Sequence, residues 1–261
     1  MVIEIIGCTG SGKSTQSRSI VESCHEQGVD IFLGEDFVLR QVRLNWIKSR
    51  LPRKFAVNLL GLFACLITWR SHLEFYLFAT RLLFQLPIAR LDKLNLLRNV
   101  LKKVGTNEII RFRSTDRQII LVDEGVLHAA HHLFVHSSVQ VSEEHLAIFA
   151  RLIPFPDAIV YLRQPESLLI DRTLKRGHQR IPDHSYSDAV RFIHQAVTMF
   201  EKLVQYPAVE SKLLLINAGQ EVTVAAPYQD NPFVSLASRI IRQGMTAGIY
   251  DLDYKLETNQ I

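Results

Sequence analysis

The residues that most constrain this fold are VIEIIGCTGSGKST, residues 2–15. An apolar run ends at Ile6, and Gly7-x-x-x-x-Gly12-Lys13-Ser14 follows at once, with the helix-compatible TQSRSIVESCHEQG behind it. Strand, glycine-rich loop and helix in that order make a full Walker A pattern, which requires a strand whose end opens onto bound phosphate. A backbone wrapped around a β-phosphate turns successive N–H groups inward, through conformations that a Cβ would obstruct. Gly7, Thr9, Gly10, Ser11, Gly12, Lys13, Ser14 and Thr15 are therefore the expected nucleotide-binding set. Lys13 is expected to reach the β- and γ-phosphates and the Ser14 hydroxyl to hold Mg²⁺, while the helix adds its positive N-terminal end.

Further short runs rich in β-branched residues alternate with helical patterns, as a parallel sheet with crossover helices requires. Strands are expected at 2–6, 30–33, 118–122, 158–162 and 212–216. The runs IILV and LLLI lack in/out alternation, which places the third and fifth strands in the interior of the sheet. The expected fold class is a three-layer α/β sandwich on a five-stranded parallel sheet, with a large helical insertion between strands 2 and 3. Residues 1–36 and 116–243 form the expected core, 37–115 the insertion, and 244–261 a C-terminal tail without clear period.

At 261 residues and 48% hydrophobic content, the chain can bury a full core, which excludes a disordered protein. Its 30 basic and 26 acidic side chains leave a net +4, too small an excess to indicate a nucleic-acid polymer as partner. Cys8, Cys24 and Cys65 are odd in number and widely spaced, so reduced thiols in a cytoplasmic protein are expected, and no secretory signal is recognised. The stretch AVNLLGLFACLITW, 56–69, carries no charge and lies between Arg50, Arg53 and Lys54 on one side and Arg70 on the other. Its 14 residues fall short of the ~20 that a membrane-crossing helix needs. A buried core helix is the expectation, with a membrane-surface or partner-binding helix as the second reading.

A Walker A loop serves switches, motors, transporters and kinases alike, so other residues must choose among them. In QIILVDEG, four apolar residues lead to Asp123, where a strand ending beside the phosphates would place a carboxylate to orient Mg²⁺. Glu124 follows, able to polarise a hydroxyl or simply to face solvent. In FLGEDF, Glu35 and Asp36, Glu35 first, either stand where an acceptor hydroxyl could lose its proton or are solvated loop acids. Arg172, Arg176 and Arg180 recur at i, i+4 and i+8, followed by Gly177 as a hinge after Arg176. Three guanidiniums on one stripe repel one another unless an anion lies between them, so the spacing favours phosphate binding. His128, His132 and His136 share a helical stripe that is expected on an ordinary helix surface, with pocket lining and a metal site as lesser readings. Cys8 is expected to be a tolerated small residue rather than a reactive thiol.

GCTGSGKST, LVDEG and YLRQPESLLIDRTLKRGHQR together resemble the P-loop kinases of nucleosides and nucleoside monophosphates, in particular the thymidylate kinase and deoxynucleoside kinase groups. The resemblance implies a P-loop kinase core with an arginine-bearing lid at about 172–184. It also implies that Ala218, Gly219 and Gln220 lie against adenine. The sequence departs from those groups after the second strand, where Glu35-Asp36-Phe37 stands, and after the third, where Asp123-Glu124-Gly125 stands.

The resulting expectation is transfer of the γ-phosphoryl group of Mg·ATP to a small acceptor, a nucleoside or nucleoside monophosphate first. Lys13, Asp123, Arg172, Arg176 and Arg180 would be catalytic, with Glu35 or Glu124 receiving the proton and Ser14 and Asp123 holding the metal. A non-nucleotide acceptor such as a sugar, lipid head group or antibiotic is the alternative, as is a nucleotide-dependent switch that uses the apolar insertion to hold a partner or a membrane. A homodimer is left open.

Overall fold

The computed structural model describes residues 1–26, 29–115, 118–136, 141–178, 181, 185–217 and 222–224. β1 (Val2–Ile6) runs into α1 (Lys13–Glu26), and the short β2 (Ile31–Leu33) follows. Between β2 and β3 (Ile119–Asp123) the chain is helical: α2 (Gly34–Gln41), α3 (Arg50–Ile67), a 3₁₀ turn (Trp69–His72), α4 (Leu73–Gln85) and α5 (Arg90–Arg113). After β3 come α6 (Ala129–Phe134), α7 (Glu143–Leu152), β4 (Ala158–Arg163), α8 (Glu166–Arg176), α9 (Tyr186–Val204), α10 (Pro207–Glu210), β5 (Leu213–Asn217) and β6 (Val222–Val224).

This is an α/β fold on a largely parallel sheet, in the order β2-β3-β1-β4-β5-β6. The expected count of five strands is one short, because β6 adds an antiparallel edge to β5. That strand was hidden in the sequence by its length of three residues. β1 lies between β3 and β4 with Ile5 opposite both Asp123 and Val160, so the P-loop leaves the sheet beside the end of β3.

The pleat of β1 divides the interior in two. Ile3 and Ile5 meet Ile20 and Cys24 of α1 on one face, together with Leu121, Val160 and Leu162. On the opposite face Ile6 belongs to a larger core that includes Val126, Leu133, Phe149, Phe192 and Phe200. Val100 and Val104 of α5 and Phe75, Ala79 and Leu83 of α4 lie in that same core, so the helices between β2 and β3 share it. The division expected at 36/37 falls inside α2, which starts at Gly34 because β2 stops after three residues.

Within this helical stretch α3 differs from its neighbours. It buries only Val57, Gly61 and Cys65, all on one side, and crosses α5 where Gly61 meets Gly105. A Cβ on Gly105 would fall 1.8 Å from the Gly61 carbonyl oxygen, so the two backbones touch. The expectation of a buried core helix over 56–69 therefore fails: α3 is buried along one stripe and exposed along the other, which carries Phe55, Leu59, Phe63, Leu66 and Ile67.

Candidate phosphate site

The loop between β1 and α1 takes the shape its glycines permit. Gly7, Gly10 and Gly12 have φ of 149°, 84° and 91°, in the region that side chains disfavour. A Cβ on Gly12 would meet nothing within 4 Å, so this glycine answers to backbone conformation and to the open space it faces. The Ser11 N–H closes the loop on the Cys8 carbonyl, and the Thr15 and Gln16 N–H groups close the first turn on Gly12.

Lys13 is buried and curls back over the loop, donating to the carbonyl oxygens of Gly7 at 2.9 Å and Cys8 at 3.0 Å. Ser14 and Thr15 are exposed, Thr9 and Gly10 half-buried. Ser11 is buried, and its hydroxyl makes no hydrogen bond among the described residues. Burial pushes the Cys8 thiol up to about 12, so the loop does not activate it.

The end of β3 supplies the opposing carboxylates. Burial raises the pKa of Asp123, outweighing the nearby Ser14 hydroxyl and the charges of Lys13 and Lys103, which favour its charged form. Its Oδ1 is buried and accepts no hydrogen bond among the described residues. A hydroxyl and a carboxylate side by side at the mouth of a phosphate loop form an oxygen donor set that suits Mg²⁺. The residues present thus fit the metal that the sequence implies.

Glu124 adopts φ of 64°, a left-handed conformation rare for a residue with a side chain. Lys103 from α5 holds it there, donating to its backbone carbonyl and standing 3.9 Å from its carboxylate. His128 Nε2 stands 3.9 Å from the other carboxylate oxygen. Burial raises the Glu124 carboxyl, but Lys103, Lys13, His132 and His131 outweigh it and hold the group low, at about 2. With its side chain 52% exposed, Glu124 keeps access to solvent beside the loop.

Two members of this constellation are absent from the sequence-based site. Glu4, in the middle of β1, is buried and accepts the backbone N–H groups of Leu127 and His128 at 3.1 and 3.0 Å. Desolvation raises its carboxyl to about 7 against those bonds and the Lys103 charge. Gly125 leaves it room, since a Cβ there would come within 2.7 Å of Oε2. Lys103 is buried as well, and desolvation lowers its pKa although Glu124, Glu4 and Asp123 all oppose that shift. A lone acid within VIEII was a visible signal. Lys103 lies three residues after Val100, among the buried positions of α5, where a lysine is the exception.

Of the arginine stripe, α8 carries two members. Arg172 donates to the Gly10 carbonyl at 3.1 Å, and α8 packs so closely that a Cβ on Gly10 would sit 3.4 Å from that of Arg172. Arg176 is exposed in the last turn, and Gly177, at φ of 73°, ends the helix. The expected third turn of the stripe is therefore absent from α8. Arg180 lies outside the described residues, as do 179 and 182–184 of the expected lid and the expected adenine contacts Ala218, Gly219 and Gln220.

Glu35 is exposed in the first turn of α2, where its charge acts on Lys102. The histidines differ from expectation. His128 and His131 are buried and stacked at 5.1 Å, with His131 edge-on to Phe192, because α6 is only six residues long and packs inside the core. Among the described residues, no group of three or more His, Cys, Asp or Glu is placed to hold a metal.

No protein-family model matches this chain, and no curated protein does. Among solved structures, a gluconokinase from Sinorhizobium meliloti aligns over 100% of this chain and 97% of its own, at 16% identity and a TM-score of 0.33. A shikimate kinase from Acinetobacter baumannii in complex with shikimate aligns over 94% and 93%, at 12% identity and a TM-score of 0.33. Superpositions that loose carry no argument about this chain, whose site rests on its own geometry.

Proposed function

We propose that this protein is an ATP-dependent small-molecule kinase, moving the γ-phosphoryl group of Mg·ATP to an acceptor bound beside the ends of β2 and β3. The observation that carries the reading is the meeting of three elements at one loop: Lys13 within it, Asp123 beside Ser14, and Arg172 on Gly10. A bound Mg²⁺ would neutralise charge on the β- and γ-phosphates. The loop N–H groups and Lys13 position the donor, and Arg172 keeps α8, with Arg176 at its end, against the loop. Positioning and electrostatics dominate phosphoryl transfer, so such a set suffices without a covalent intermediate.

The resemblance of the loop, LVDEG and the α8 segment to nucleoside and nucleoside monophosphate kinases makes those acceptors the first choice, ahead of a sugar, lipid head group or antibiotic. Residues 1–36 and 116–243 would be the catalytic core, and the helices of 37–115 would shape the acceptor side. Glu124 or Glu35 would receive the acceptor proton; Glu124 stands nearer the loop, and Glu35 is unencumbered at the start of α2. A nucleotide-dependent switch is the second reading, favoured by the exposed apolar side of α3.

ADP release measured against a panel of nucleosides, nucleoside monophosphates and sugars, with gluconate and shikimate included, separates these readings. A kinase shows turnover strongly accelerated by one acceptor class. Slow hydrolysis indifferent to every acceptor supports the switch, and no ATP binding at all overturns both.

A further inference from the structure

We propose that the outer face of α3 is a docking surface for an anionic membrane, with the helix lying in the plane of the lipid head groups. Leu51, Phe55, Leu59, Phe63, Leu66 and Ile67 follow one another at intervals of four, four, four, three and one, and are between 58% and 80% exposed. The buried residues Val57, Gly61 and Cys65 lie on the other side, against α5. Six large apolar side chains on one exposed helical stripe are more than scattered surface residues explain.

Charge selects the occupant. From Phe37 to Leu73 the sequence holds Arg40, Arg43, Lys48, Arg50, Arg53, Lys54 and Arg70, and neither Asp nor Glu. Removing these seven from the chain's 30 basic side chains leaves 23 against 26 acidic, so the rest of the protein is net −3. A second copy docking through α3 would bring two such basic segments together, like charge against like. Anionic lipid complements them, each Lys or Arg near such a surface strengthening binding about fivefold. Arg53 is already paired with Asp36, but Lys48, Arg50, Lys54 and Arg70 are exposed.

The ends of the helix agree with this. Trp46 and Trp69 are 70% and 47% exposed, one before and one after α3, and ring systems with one polar edge favour the head-group level. No single helix among the described residues is long and apolar enough to cross a membrane. α3 and the helical segment from Trp69 to Gln85 would suffice only as a pair bent by 83°, and Phe75, Tyr76, Ala79 and Leu83 fix α4 in the protein core. A helix of 18 residues, about 27 Å long, therefore lies on the surface rather than spanning it.

The full chain tests this by co-sedimentation with vesicles, independently of any nucleotide. It should sediment with phosphatidylcholine vesicles containing phosphatidylserine and more weakly with phosphatidylcholine alone, with binding falling as salt rises. Phe55→Glu combined with Phe63→Glu should weaken binding at least about tenfold at an unchanged thermal midpoint, because both side chains are already exposed. Lys48→Glu with Lys54→Glu should abolish the preference for anionic vesicles. Failure to sediment with anionic vesicles overturns the proposal, as does binding that the Phe55/Phe63 variant leaves intact. A dimer in light scattering that the Phe63→Glu variant dissolves also overturns it, since a second copy would then be the occupant.

Discussion

Lys103 reaches from α5 to the backbone carbonyl of Glu124 and, 3.9 Å away, to the same residue's carboxylate. A side chain from the helices between β2 and β3 thus fixes the left-handed turn that follows β3. Lys103→Met removes that tether and leaves the Glu124 carbonyl without its donor. Glu124 can turn to water and Glu4 can take up a proton, so the expected loss is about 1–3 kcal/mol rather than the larger cost of a stranded buried charge. Urea unfolding should show it. A midpoint unchanged from wild type would mean that the contact stabilises nothing.

Glu4 makes stability depend on pH. Its carboxyl lies at about 7 in the folded chain, against an ordinary 4.5, because burial disfavours the charged form. Below pH 4.5 the group is protonated in both states and costs nothing. As pH rises from 4.5 towards 7 the unfolded chain releases the proton first, so stability falls, by roughly 3 kcal/mol across that window. Glu4→Gln should flatten this slope. It should lower stability most at acid pH, since an amide can accept from only one of the Leu127 and His128 N–H groups while its NH₂ faces the other, and the gap to wild type should close as pH rises towards 7. A wild-type profile flat between pH 4.5 and 7 would contradict the assignment.

The P-loop and Asp123 were legible in the sequence because their spacing is dictated by phosphate itself, which fixes the order of strand, glycines, lysine and hydroxyl. The strands that begin at Val2 and Ala158 were legible for a similar local reason, as uninterrupted apolar runs between helical patterns. Glu4 and Lys103 are 99 residues apart in the chain and meet only through the packing of α5 on α6, and no local pattern records such an encounter. The histidines were misjudged for the same reason: a stripe of three polar rings reads as surface until Phe200 closes over His128 and Phe192 over the adjoining His131.

Lys13 and the α8 arginines divide the work of the loop in a way that variants can separate. Lys13→Ala should abolish ATP-dependent turnover while leaving the fold intact. Arg172→Ala removes the brace on the Gly10 carbonyl and should weaken nucleotide binding measured by calorimetry, by about tenfold for the loss of a charged hydrogen bond. Arg176→Ala, at an exposed position in the last turn of α8, should reduce turnover far more than binding. Equal losses of binding and turnover in that variant would exclude a role for Arg176 in the transferring group's charge.

The contact between Gly61 and Gly105 gives a last test, of whether α3 is held rigidly on α5. A methyl group on Gly105 would fall 1.8 Å from the Gly61 carbonyl oxygen and 2.7 Å from the Cys65 nitrogen, all backbone atoms that cannot step aside. Gly105→Ala must therefore push the helices apart, at a cost of about 1–3 kcal/mol for forced overpacking. Because Lys103 lies two residues away on α5, the shift should also loosen its hold on Glu124. Thermal unfolding should show the first effect, and a raised Glu124 carboxyl, followed by NMR titration, the second. If the variant loses stability with Glu124 still held at about 2, then the crossing and the site are mechanically separate, and whatever occupies the outer face of α3 cannot signal through α5 to the phosphate loop.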